Sequence, residues 1–125
     1  MSEVKKKYLP QNVTFVLCGD FNEDTSHYAA KQVFNELDPY SPRGSHGNNG
    51  VSLNDTKRVS KQKHQGERNT FTGWSLKRNA AHMKIDYIFV NKEVTVLNHA
   101  TIGDTFGENN SLASDHRPVA SKIIF

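Results

Sequence analysis

Three clusters of acidic, amide and imidazole side chains lie at the ends of apolar runs in this sequence. They are LCGDFNED with Asp20 and Asn22, MKIDYIFVN with Asp86, and ASDHRPVA with Asp115 and His116. The three aspartates offer hard oxygen ligands, which suit Mg²⁺ or Mn²⁺ with several waters retained. These residue types therefore favour a site that handles a divalent cation and protons.

The second cluster suggests how the first and third are related. Asp86 stands in an apolar strand, and an unpaired buried carboxylate is costly, so we expect a partner for it. His116 suits that role, because an Asp–His pair fixes the imidazole tautomer and raises its basicity for acid–base chemistry near neutral pH. The amide of Asn22 could orient a phosphate oxygen or a water. Together these groups predict metal-assisted attack of water on a phosphoester.

Each cluster also has a purely structural interpretation. A Gly-Asp pair after a strand is often only a turn, and Ser-Asp-His before a proline is compatible with a capped loop. Trp74 either covers part of the core or binds substrate. The other histidines, among them His64 and His99, are expected at the surface or in loops rather than as ligands. The functional interpretation is favoured because three separate clusters occur, in this order, at the edges of strands.

Apolar periodicity predicts one helix and several strands around these clusters. The strand over 12–18 is expected to be buried on both faces, because its apolar residues are consecutive. The stripe over 25–37 predicts a helix. Further strands are expected over 83–91, 93–102 and 117–125, with a short one leading into a turn over 70–74. The order of elements predicts an α/β or α+β protein with a mixed β-sheet and a packed helix.

The segment from about 40 to 69 is polar and irregular. A structureless loop of this length is unusual in a compact domain, so we expect either a functional lid or a disordered stretch. The segment contains a basic run, which is either a solvated loop or a surface for nucleic-acid phosphates. Its cations are Lys57, Arg58, Lys61, Lys63 and Arg68.

Length and composition bound the class of protein. The chain has 125 residues, which corresponds to about one domain. Its formal net charge of +3 is compatible with a phosphate-bearing partner but too small to require one. The single cysteine, Cys18, excludes an internal disulfide. No run approaches the roughly 20 apolar residues of a membrane span, and no apolar signal segment is present at the N-terminus, so a soluble cytoplasmic protein is expected.

The direction of the strands decides whether the clusters can meet. If the strand with Asp86 and the next strand form a hairpin through the Asn91-Lys92 turn, and the last strand reverses again, Asp86 and His116 lie on one rim. Asp20 follows the end of its strand, so it reaches that rim only if its strand runs antiparallel to the one with Asp86. We predict that antiparallel pairing.

The motifs VLCGDFN, TFTGW, KIDYIFV and SDHRPVA, in that order, resemble the C-terminal half of the endonuclease/exonuclease/phosphatase superfamily, which has the DNase I-like fold. The resemblance covers nearly the whole chain, 1–125, and is nearest to small metal-dependent hydrolases, with deadenylase-like and sphingomyelinase-like members close by. It implies half of a four-layer α/β sandwich and a Mg²⁺-dependent hydrolase of phosphodiesterase or nuclease type. The implied substrates are phosphoesters of nucleic acids, phospholipids, inositols or sugars.

The resemblance assigns a role to each cluster. Asp20 would orient or deprotonate the attacking water and contribute to the metal site, and Asn22 would hold that water or the scissile phosphate. Asp86 would pair with His116, which would contact the phosphate and transfer a proton. Asp115 would assist in holding the metal.

The resemblance also implies a missing first half. In full domains that half supplies a glutamate as the main metal ligand, an early asparagine and further groups near the phosphate, and Glu23 has the wrong context to replace the glutamate. The chain is therefore expected to be a fragment, a truncated gene product, or a half that another chain or a second copy completes by covering an apolar sheet face. The alternative is a catalytically inactive remnant, or a module that binds phosphate or nucleic acid.

Overall fold

The computed structural model describes residues 13–22, 53–77, 79 and 83–125. In this part of the chain, six strands form two three-stranded sheets, and one short helix accompanies them. The elements are β1 (Val16–Asp20), β2 (Leu53–Asp55), α1 (Thr56–Val59), β3 (Gln65–Gly66), β4 (Asp86–Asn91), β5 (Thr95–Thr101) and β6 (Val119–Ile124). The predicted mixed α/β class is confirmed, whereas the helix predicted over 25–37 lies outside the described residues. None of the described helical segments is long and apolar enough to cross a membrane.

The first sheet has the order β1-β4-β2, and both pairs are antiparallel. The register of β1 and β4 places Asp20 directly opposite Asp86, which confirms the predicted antiparallel pairing. At the other end of the pair, the side chain of Asn91 fixes this register. Its Oδ1 accepts a hydrogen bond of 2.8 Å from the backbone N–H of Phe15.

The core lies on both faces of β4, the central strand of the first sheet. On one face Tyr87 and Phe89 pack against Leu53, with the half-buried Phe15, Leu17 and Phe21 beside them. On the other face Val90 packs against Val94 of the following turn and against Val96 and Ile123 of the second sheet. Successive side chains of a strand point to opposite faces, so the consecutive apolar residues of β4 serve both layers. This burial holds the strand that begins with Asp86.

The first strand differs from its prediction. β1 begins at Val16 and runs to Asp20, later than the expected 12–18, and it is not buried on both faces. Leu17 faces the aromatic cluster, but Val16 is 45% exposed and Cys18 is exposed on the opposite face. Among the described strands β1 lies at an edge of the sheet, and a run of apolar residues does not distinguish this position from a central one.

The predicted hairpin between the second and third strong strands is wrong. β4 and β5 follow each other through a turn, in which the N–H of Val94 donates to the carbonyl of Asn91 at 3.1 Å, but they lie in different sheets. Both edges of β4 are occupied by β1 and β2, so β5 pairs elsewhere. It lies between β3, which is parallel to it, and β6, which is antiparallel.

The described part of the segment predicted as a loop, residues 53–69, contains β2, α1 and β3, so the prediction is wrong there. Asp55 caps α1, because its Oδ1 accepts from the N–H of Lys57 at 3.0 Å. β3 passes close to β5 at Gly66, where φ is 82° and a Cβ would collide with the carbonyl oxygen of Thr101. These elements are too short to be identified from the periodicity of their apolar residues.

His99 also departs from its prediction, since it is fully buried in β5 rather than exposed. Its Nδ1 lies 2.9 Å from Nδ1 of His64, and Nε2 of His64 lies 2.7 Å from the carbonyl oxygen of Glu67. A carbonyl only accepts, so Nε2 of His64 donates, and Nδ1 of a neutral His64 accepts from His99. Burial, together with nearby positive groups, lowers the pKa of His99 to about 4.

Candidate active site

Two strands and the segment before a third bring three of the predicted residues together. Asp20 is the last residue of β1, Asp86 is the first residue of β4, and His116 lies three residues before β6. Ligand atoms of these three side chains all lie within 4.8 Å of one another. The structure thus places on one rim the carboxylates and the imidazole that the sequence separates.

Asp86 and His116 form a hydrogen-bonded pair. Nδ1 of His116 lies 2.8 Å from Oδ2 of Asp86, so the imidazole donates from Nδ1 to the carboxylate. Its Nε2 is directed towards Asp20, whose Oδ2 lies 3.9 Å away. The hydrogen bond to Asp86 raises the pKa of His116; burial opposes the shift, and the charges of Asp86, Asp20 and Asp115 reinforce it. The geometry leaves Nε2 as the nitrogen that can meet a substrate.

Thr70 holds the beginning of β4 in place. Its fully buried Oγ1 accepts two backbone hydrogen bonds of 3.1 Å, from the N–H groups of Ile85 and Asp86. Its backbone N–H donates to the carbonyl of Met83 at 3.0 Å, and its carbonyl accepts from the N–H of Arg117 at 2.7 Å. One residue therefore bridges the segment with Asp86 and the segment with His116. No role was predicted for Thr70, because a threonine in a short strand carries no signal of which distant groups it will bond.

Thr72 positions the segment before β6 in a similar way. Its backbone N–H and its Oγ1 both donate to the carbonyl oxygen of Asp115, at 2.7 and 2.9 Å. The N–H of His116 donates to Oγ of Ser114 at 3.0 Å, which closes a tight turn. The ring of Phe71 packs edge-on against the imidazole, with 5.1 Å between centroids. The TFTGW motif is thus a bracket between the clusters rather than a strand, since only Phe71 makes isolated bridges.

The other predicted site residues lie near this cluster but differ in their contacts. The backbone N–H of Asn22 donates to Oδ1 of Asp20 at 2.7 Å, and Asn22 has a left-handed backbone with φ of 54°. Asp115 is half-buried, and its carboxylate is not part of the group of potential ligands found among the described residues. Trp74 does not cover the core, because it is 63% exposed.

The basic run does not present all of its cations together. Lys57 is half-buried, and its Nζ donates to the carbonyl of Arg68 at 3.4 Å. Burial lowers the pKa of Lys57, while Asp55 opposes that shift. The remaining cations are exposed: Arg58, Lys61, Lys63 and Arg68.

Comparison with known proteins decides the family. The model of the Endonuclease/Exonuclease/phosphatase family matches residues 2–116 of the chain. The chain belongs to this family. The resemblance inferred from the motifs is therefore confirmed, and members of the family hydrolyse phosphoesters and generally use divalent metals. No curated protein matches the chain.

Solved structures show the same fold for this endonuclease/exonuclease/phosphatase chain. A mannosyl-6-phosphatase from Bacteroides thetaiotaomicron is 23% identical with a TM-score of 0.69, over 98% of this chain and 42% of that one. A family protein from Bacteroides vulgatus is 20% identical with a TM-score of 0.73, over 98% and 40%. One from Leptotrichia buccalis is 26% identical with a TM-score of 0.59, over 98% and 40%. The chain thus spans about two fifths of these relatives, 40–42% of their length.

The donor atoms of the site are compatible with the divalent metal that the family generally uses. Mg²⁺ is commonly held by one or two carboxylates with several waters retained. Asp20 offers an exposed carboxylate for that purpose, whereas Nδ1 of His116 and Oδ2 of Asp86 are already bonded to each other. The hard oxygen of Asp20 fits such an ion, and the Asp86–His116 pair remains available for proton transfer.

Proposed function

We propose that this chain carries the proton-handling part of a metal-dependent phosphoester hydrolase. The observation that carries the proposal is the 2.8 Å hydrogen bond between Asp86 and His116, with Nε2 of the imidazole directed towards Asp20. An imidazole that is oriented by a carboxylate is well suited to general acid–base catalysis. The raised pKa of His116 favours the imidazolium form, which can donate from Nε2 while Nδ1 stays bonded to Asp86.

In the proposed reaction, Asp20 orients the attacking water and accepts its proton as the new P–O bond forms. The bond between phosphorus and the leaving oxygen breaks, and Nε2 of His116 donates its proton to that oxygen. The amide of Asn22 donates to a phosphate oxygen. Asp20 would hold Mg²⁺ or Mn²⁺, and such an ion would supply Lewis-acid stabilisation of phosphate charge when bound.

Hydrolysis of a simple phosphoester tests this proposal. p-Nitrophenyl phosphate and its bis-ester are assayed with Mg²⁺ or with a chelator, and a sugar 6-phosphate is added because one similar structure is a mannosyl-6-phosphatase. We expect the metal-dependent rate to fall on the order of 100-fold or more in His116→Ala, the usual contribution of a general acid. Lys122→Ala, which changes an exposed residue of β6 outside the three clusters, serves as the matched control.

Equal metal-dependent rates in the wild-type chain and His116→Ala would contradict the proposal. The alternative of a phosphate-binding module has its own test. It predicts that single-stranded nucleic acid binds without being cleaved, and that the binding weakens steeply as salt is raised.

A further inference from the structure

A cavity of about 540 Å³ opens between the segments 74–76 and 109–112. One wall comes from the last residue of the TFTGW motif and the two residues after it, and the other from the loop before the Ser-Asp-His turn. Its walls include Trp74, Ser75 and Leu76 on the first side, and Asn109, Asn110 and Leu112 on the second. The reaction proposed for Asp20, Asp86 and His116 does not use this cavity.

Both walls are attached to the segment that carries His116. On the first side, the N–H of Trp74 donates to Oγ1 of Thr72 at 3.3 Å, and Thr72 in turn donates to the carbonyl of Asp115. On the second side, Leu112 precedes His116 by four residues, a stretch of chain that reaches at most about 14 Å. Both walls are thus linked to the residues that precede His116, which makes the cavity a candidate place for the remaining part of a molecule whose phosphate meets Nε2 of His116.

The backbone at Trp74 indicates that the indole is there for a reason other than folding. Among the described residues, three that are not glycine have positive φ: Asn22 at 54°, Trp74 at 67° and Asn110 at 50°. Asn22 lies at the catalytic cluster, and the other two line the cavity. Asparagine tolerates this conformation, but a bulky residue there is an outlier that glycine would relieve. Since the indole is also 63% exposed, burial does not compensate for the strain.

The lining restricts what can bind. Its residues are one tryptophan, two leucines, two asparagines and two serines, with no charged side chain among them. A second phosphate or a nucleic-acid backbone favours a site with cations, and none of the described residues that line the cavity supplies one. An aromatic face next to amides and hydroxyls suits a neutral ring that has one apolar face and a rim of hydroxyl groups.

We propose that the cavity is the leaving-group subsite, and that it takes the sugar ring of a sugar phosphate. The ring stacks on the indole of Trp74, and its hydroxyls bond the amides of Asn109 and Asn110. The proposal rests on the function proposed above, and it narrows the substrate class from phosphoesters in general to phosphoesters of hydroxyl-rich sugars.

Fluorescence tests the subsite directly, because Trp74 is the single tryptophan of the chain. The probes are mannose 6-phosphate and glucose 6-phosphate, with inorganic phosphate and adenosine 5′-monophosphate as comparisons. We expect a saturable change of Trp74 emission with at least one sugar phosphate and none with inorganic phosphate. Asn109→Ala, and Asn110→Gly, which preserves the positive φ, should each raise the dissociation constant on the order of tenfold, as expected for one lost hydrogen bond. Lys122→Ala should leave it unchanged.

A change with adenosine 5′-monophosphate but with neither sugar phosphate, or with none of the probes, would overturn the subsite. That failure is separate from failure of the catalytic proposal, which shows as equal hydrolysis rates in the wild-type chain and His116→Ala. A second variant tests whether the indole has a structural role instead. Trp74→Gly should unfold at the same or a higher urea concentration because the strain is relieved, and earlier unfolding would contradict the argument from strain.

Discussion

Replacement of Thr70 by valine tests how the fold holds Asp86 in position. Valine has nearly the shape of threonine but lacks the hydroxyl, so the change removes one acceptor and leaves the packing almost intact. In the wild-type chain this buried oxygen accepts from the N–H groups of Ile85 and Asp86, both at 3.1 Å. Thr70→Val leaves these two donors without that acceptor at the point where β4 begins.

The expected loss follows from the burial of the two donors. A buried donor left without an acceptor costs about 1–3 kcal/mol. Ile85 is buried and Asp86 is half-buried, so water can replace the lost bond at Asp86 more easily than at Ile85. We therefore expect Thr70→Val to lower the free energy of unfolding by about 2–4 kcal/mol. Thr70→Ser keeps the hydroxyl and loses one methyl group, which costs about 1 kcal/mol.

Urea unfolding followed by circular dichroism measures both variants, and amide hydrogen exchange localises the effect. Exchange at Ile85 and Asp86 should be faster in Thr70→Val than in Thr70→Ser, because the hydroxyl protects both amides directly. If the two variants have the same stability, or if these two amides exchange equally in both, the bracket described above does not hold the strand.

Two further predictions concern buried charge. Asp55→Asn should keep the cap on the Lys57 N–H but leave Lys84 without the carboxylate that lies 3.5 Å from its Nζ. The free energy of unfolding should therefore fall by about 3 kcal/mol. Asp55→Ala also removes the cap and should lose about 1 kcal/mol more. Equal urea midpoints for wild type and Asp55→Asn would contradict this. For His99, burial lowers the folded-state pKa from 6.5 to about 4. The unfolded chain therefore takes up the proton first, so stability is complete above pH 6.5 and falls as the pH drops towards 4, by at most about 3 kcal/mol. His99→Gln should flatten this profile, and an unchanged slope would show that His99 is not its source.

The parts of the site that the sequence predicted are those expressed in local patterns. Polar residues at the ends of apolar runs indicated Asp20, Asp86 and His116, and the need for a common rim required β1 and β4 to be antiparallel. The structure has that pairing, with Asp20 opposite Asp86. An unpaired carboxylate on an apolar strand was sufficient reason to expect the imidazole partner, which lies 2.8 Å away.

The parts that the sequence did not predict depend on contacts between distant segments. Periodicity indicates that β4 and β5 are strands, but not that β1 and β2 occupy both edges of β4 and direct β5 into a second sheet. The hydroxyl groups of Thr70 and Thr72 act on backbone groups that are 15 and 43 positions away in the chain. Burial of His99 likewise follows from packing of the second sheet and not from its own neighbours in sequence.

Nitrogen NMR of the His116 imidazole, with and without inorganic phosphate and Mg²⁺, tests the central claim most directly. In its neutral form the ring should be protonated at Nδ1, which bonds Asp86, and unprotonated at Nε2, and addition of phosphate with Mg²⁺ should shift the Nε2 resonance while the Nδ1 proton is retained. A neutral ring protonated at Nε2, or an Nε2 resonance that phosphate does not affect, would contradict the account.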